Sequence, residues 1–198
     1  MIINTHILFS KIVYKHCLKE LNFKLNKNIF MYGNIKPDIS PDTFKSSHTL
    51  KDSIGIVSEH FNELSNNKLD IKQFSMLLGM ICHYTADYFC IYHTEEYSKK
   101  SIFKHIAYEI ALHINLRILL IRGKLKIIDS RSVPQRNVLS IIYNMQEKYF
   151  QKKRGFLTDI IYAVSTITMV IESIIYFNVN KFENIETYEL SKNIGGII

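Results

Sequence analysis

The sequence predicts an all-α protein, and three observations carry that prediction. Only seven Gly and three Pro occur in 198 residues, so there are few breakers and helices with short connections are favoured. Apolar residues recur at helical spacing over long stretches, and no alternating apolar–polar run of any length appears. Hydrophobic residues make up 47% and charged residues 22%, the balance of one globular domain large enough to bury a core.

The elements follow in order. Residues 4–25 place Ile7, Leu8, Val13, Tyr14, Cys17, Leu18 and Leu21 roughly at helical spacing, with Asn4 or Thr5 as cap and His6 in the first turn. Residues 31–48, "MYGNIKPDISPDTFKSSH", read as a loop, because Gly33, Pro37 and Pro41 forbid a continuous helix. That loop holds Asp38, Asp42 and His48, with Asp42 assigned a turn or cap role after Pro41. A short helix over 50–63 is followed by the loop "SNNKLD". Asp70 then caps a helix over 71–91. After the polar break "HTEEYSKKS" a helix runs over 101–122 and stops at Gly123. Residues 124–135 form a linker, and two further helices follow over 136–151 and 156–178.

The most apolar stretch, residues 159–177, has its uncharged run ended by Glu172 and is interrupted by Ser165, Thr166 and Thr168. It is too short and too polar for a spanning helix and is expected to be the central buried helix. The total is six or seven helices, with residues 1–180 as one domain and 181–198 as a polar tail.

The net charge of +7 suits an anionic partner such as a phosphate ester, anionic lipid or nucleic acid. Its densest group, Lys148, Lys152, Lys153 and Arg154, is read as a solvated face. Cys17, Cys82 and Cys90 form neither a disulfide framework nor a zinc knuckle and are expected to be buried free thiols in a reducing compartment. "MIINTHILFSKIVYK" shows no export signal, so the expectation is a cytoplasmic protein, or a secreted one if a leader has been trimmed.

The chemistry is concentrated in "HYTADYFCIYH", residues 83–93. His83 and Asp87 are four apart on one helix face, a spacing at which two ligands grip one metal ion. His93 follows near or past the helix end. "HIAYEIALH", residues 105–113, repeats the spacing with His105 and Glu109. Each pair alone is more readily a structural histidine beside a carboxylate. Together with His6, Asp38 and His48 they make five histidines and three carboxylates in order. Among the interleaved aromatics Tyr84, Tyr88, Phe89 and Tyr92, most are expected in the core and one at the cleft.

The order His, Asp, His, His-x-x-x-Asp, His, His-x-x-x-Glu resembles the bacterial zinc-dependent phospholipase C family over residues 6–109. The resemblance implies an all-α fold and two to three zinc ions. It gives Asp38, His48, His83 and Asp87 to one ion, Asp87 as a bridge to a second that also takes His6, and His93, His105 and Glu109 to a third. Asp38 is the implied general base. The implied activity is hydrolysis of phospholipid headgroup esters by metal-activated water, with transient contact to a membrane surface. A nuclease on the same scaffold is the alternative, with nucleic acid as substrate, and Glu109 tilts the reading toward the phospholipase branch. A helical metal-binding protein of weak activity is the third reading.

The family's terminal Trp, which caps a zinc through its amine and carbonyl, has no counterpart here, since the chain contains no Trp. The ion at His6 is therefore expected to lack both terminal ligands. His113 falls outside the ligand pattern and is read as a core or surface residue, and His16 and His60 as structural or exposed.

Overall fold

Helices dominate the computed structural model, which describes residues 1–40, 48–97, 101–128 and 134–179. Eight α-helices occur among the described residues: α1 (Ile3–Lys19), α2 (Lys27–Gly33), α3 (Lys36–Ile39), α4 (Leu50–Asn66), α5 (Ile71–Asp87), α6 (Ile102–Ile121), α7 (Val138–Phe150) and α8 (Phe156–Asn178). A short 3₁₀ turn over Ile91–His93 lies between α5 and α6. No strand occurs among the described residues. Asp42 and the tail 181–198 lie outside them.

Local chemistry explains most boundaries. Asp70 caps α5 in a full capping box with Gln73. Gly123, at φ 59°, ends α6 in the left-handed conformation that glycine adopts without a Cβ penalty. Two sequence expectations are corrected. The first helix starts at Ile3 without a side-chain cap, and Thr5 lies within it. The segment 31–48 is not simply a loop, because Asn26 caps α2, and Pro37 sits in the first turn of α3, where its missing N–H costs nothing.

α8 is the central helix. It packs against α1, α4, α5, α6 and α7; contrary to the sequence expectation it is, at 23 residues, long and apolar enough to cross a membrane, but its surface is mostly covered by protein, as expected of a central buried helix. Four of its hydroxyl residues are hydrogen-bonded within the core. Thr166 and Thr168 hydroxyls donate to the carbonyls of Tyr162 and Val164, while Ser165 and Ser173 accept from the Ile128 and Gln135 amides.

The most extensive helix contact is between α2 and α5. It depends on Gly33 and Gly79, where a Cβ would collide with the carbonyl oxygens of Met76 and Phe30 respectively. This close crossing brings Asn34, at the end of α2, against His83 on α5.

Candidate metal centre

All eight residues singled out in the sequence converge on one region. α1 supplies His6, α3 supplies Asp38, and His48 lies just before α4. α5 presents His83 and Asp87 from one buried face, the 3₁₀ turn presents His93, and α6 presents His105 and Glu109. Potential ligand atoms fall into overlapping groups whose members lie within 4.8 Å of one another: His6–His83–Asp87, Asp38–His48–His83, His48–Asp87–His93 and Cys90–His93–Glu109. His105 Nε2 lies against two members of the last group, 2.8 Å from Glu109 Oε1 and 3.3 Å from His93 Nε2.

The ring orientations are set by partners outside the cluster. His83 Nδ1 donates to the Asn34 carbonyl at 2.9 Å, which leaves Nε2 as the lone-pair nitrogen facing Asp38, His48 and Asp87. His6 stacks on His83 with centroids 4.0 Å apart. Tyr92 stacks on His105 and is half-buried, whereas Tyr84, Tyr88 and Phe89 are buried. His113 lies outside the cluster and pairs with Thr5 at 3.2 Å.

These residues fit a metal for two physical reasons. First, His6 is fully buried and neither ring nitrogen makes a hydrogen bond; its Nε2 faces Asp87 Oδ1 at 3.4 Å. A buried donor or acceptor without a partner is costly, and a metal ligand is one resolution. Second, imidazole nitrogens face each other at 3.1 Å for His83–His48 and 3.3 Å for His93–His105. Opposed imidazole nitrogens repel as lone pairs and attract only around a proton or a cation.

Electrostatics point the same way. Burial would raise the Asp87 carboxyl, but His93, the Met1 amine, His6 and His83 hold it well below the usual carboxylate range. Glu109 is also lowered against the effect of burial, by the Met1 amine and its bonds to His105 and His93. Burial lowers His83 and His93 toward the neutral form that ligates metals. Burial raises Asp38, and a fifth of its side chain reaches solvent.

The sequence reading missed two participants. One is the backbone nitrogen of Met1, which bonds Asp87 Oδ1 and lies 3.1 Å from His93 Nε2 and 3.3 Å from Glu109 Oε1. The two carboxylates push it up to about 11 against the opposing effect of burial. No residue type at position 1 signals this, because the amine belongs to the backbone. The other is Cys90, a buried free thiol as expected, but inside a metal-competent group. Its signal was the spacing Cys90-x-x-His93 within the motif itself.

A groove of about 440 Å³ borders this region at His93. Leu50, Tyr143 and Phe150 line it along with Lys51, Gln146 and Arg154. Lys51 pairs with Glu95 at 3.6 Å, and Arg154 with Glu96 at 2.7 Å.

The model of one protein family, described as zinc dependent phospholipase C, matches residues 5–156. No match was found among curated proteins or solved structures.

Proposed function

We propose a function from one settled premise: the chain belongs to the zinc-dependent phospholipase C family. It hydrolyses the phosphodiester of a phospholipid headgroup, breaking the bond between phosphorus and the glycerol oxygen and releasing diacylglycerol and the phosphorylated headgroup. The observation that carries this reading is the convergence of five histidines and three carboxylates, with His6 buried among them and without a hydrogen bond to either ring nitrogen.

Asp38, His48, His83 and Asp87 would hold one zinc ion, His6 and Asp87 a second, and His93, His105 and Glu109 a third. In a chain that begins at Met1, its amine lies among Asp87, His93 and Glu109, where the second and third sets meet. Bound zinc supplies positive charge against the phosphoryl oxygens and lowers the pKa of water. Asp38 is the most exposed carboxylate of the cluster and accepts the proton of the attacking water. The glycerol oxygen leaves as the alcohol with a proton returned to it.

A lipid substrate is favoured over nucleic acid by two surfaces. The groove at His93 has an apolar wall, and its Lys51 and Arg154 are already paired with acids. Helix α6, which carries His105 and Glu109 inward, exposes Ile102, Phe103, Ile106, Ile110, Ile114 and Ile118 outward. Lys104 and Arg117 are exposed on the same helix, and Arg122 is exposed at its C-terminal cap. This apolar face spans about 25 Å, and its basic residues suit an anionic lipid surface.

The test is turnover of phospholipid vesicles, a soluble short-chain phospholipid and single-stranded nucleic acid by one zinc-loaded preparation. Hydrolysis of both lipids is expected. Phe103→Ser with Ile110→Ser should lower vesicle turnover several-fold more than soluble-lipid turnover. Hydrolysis of nucleic acid alone would replace this reading with the nuclease, and stoichiometric zinc without any turnover would leave a metal-binding protein.

A further inference from the structure

The phospholipase reading uses no cysteine, yet one thiol stands among the ligand atoms. Cys90 is fully buried at the turn between α5 and the 3₁₀ turn. Its amide donates to the Asp87 carbonyl at 3.0 Å, and its own carbonyl accepts from the His93 amide at 2.9 Å. The residue is thereby tied by backbone bonds to a ligand candidate on either side. Its sulfur, a ring nitrogen of His93 and a carboxylate oxygen of Glu109 lie within 4.8 Å of one another. The other two cysteines, Cys17 and Cys82, are also fully buried but belong to no such group among the described residues.

We propose that Cys90 Sγ is a metal ligand, making a mixed sulfur–nitrogen–oxygen site with His93 and Glu109. The inference rests on the metal reading of the cluster and adds a donor to it. Three consequences follow from the chemistry of thiolate. It favours zinc, cadmium and cobalt over magnesium and calcium, which take oxygen donors. It brings a further negative charge into the buried cluster. It also occupies a position that water would otherwise hold, so this ion is more enclosed than one bound by His93, His105 and Glu109 alone. Water activation then falls to the neighbouring group around Asp38, His48, His83 and Asp87.

X-ray absorption at the zinc edge of the zinc-loaded full chain tests this without any substitution. A zinc–sulfur path near ~2.3 Å is expected beside the nitrogen and oxygen shell. Cobalt loading should add a sulfur-to-cobalt charge-transfer band in the near ultraviolet. Cys90→Ser should abolish both signals, while Cys17→Ala should keep both. A loaded wild-type protein with only nitrogen and oxygen neighbours overturns the Cys90 assignment and leaves the phospholipase reading standing. A sulfur path that survives Cys90→Ser also overturns it. Failure of the wild-type protein to take up any zinc overturns both readings.

Discussion

Two aspartates in this protein, Asp87 and Asp159, are both fully buried, yet their surroundings differ in kind. Asp87 is ringed by the Met1 amine and the imidazoles of His6, His48, His83 and His93. Asp159 is ringed by neutral donors: the Ile91 amide at 3.1 Å and the Tyr108 and Tyr149 hydroxyls, each at 2.9 Å. Burial raises the Asp159 carboxyl to about 6, opposed by those three hydrogen bonds. The Asp87 carboxyl is driven the other way. A buried acid among neutral hydrogen-bond donors is a structural knot. A buried acid among imidazoles, one of them without a hydrogen bond, fits a cation.

The two are also connected. Asp159 holds Ile91 in the turn that ends at His93, and Tyr108 next to Glu109 on α6. The knot thus fixes the two elements that carry the outer part of the cluster, as outer partners of metal ligands commonly do.

The largest expected effect comes from Asp87→Asn. Asp87 belongs to two of the ligand groups, so zinc content measured by metal analysis should fall by more than one ion per chain. Activity should fall at least ~100-fold, since outer-shell partners alone cost about 10–100-fold and Asp87 is proposed as a ligand itself. Full zinc content in Asp87→Asn would erase the distinction between the two aspartates.

A smaller effect is expected from Asp159→Asn. The amide offers one acceptor oxygen where the carboxylate has two, so the Ile91 and Tyr108 bonds to Oδ2 and the Tyr149 bond to Oδ1 cannot all be kept as they are. Zinc stoichiometry should be unchanged, while affinity, read by chelator competition, should fall ~10-fold. A loss of whole zinc equivalents would make Asp159 a member of the site and not its support.

Much of this contrast was legible in the sequence on one side only. The i, i+4 pairs His83–Asp87 and His105–Glu109 signal themselves, because helical spacing brings them together before any tertiary contact forms. Asp70 and Gly123 were likewise readable, as caps act within a few residues. Asn34 and Asp159 were not. Asn34 reaches His83 only because Gly33 and Gly79 let α2 and α5 approach closely, and Asp159 meets Ile91 from 68 residues away. α2 and α3 were hidden by Gly33 and Pro37, which break a continuous helix but suit an end and a start. The Met1 amine joins the cluster through tertiary placement and no residue around it announces it, whereas Cys90 stood three residues from His93 inside the motif.

The two acids should finally separate in the pH dependence of the metal-free protein. Asp87 and Glu109 have folded-state values below their unfolded ones, so their contribution is present above the ordinary carboxylate range and is lost as pH falls through their folded values. Asp159 has the opposite sign. Its folded value of about 6 lies above the unfolded one, so its contribution is full below the unfolded value and disappears as pH rises through 6. Comparing urea unfolding of the wild type with Asp159→Asn cancels the titrations the two share. The substitution should cost about 2 kcal/mol more at pH 4.5 than at pH 7. An equal cost at both pH values would mean that Asp159 titrates as an ordinary carboxylate, and the knot would then resemble the metal cluster more closely than its neutral donors imply.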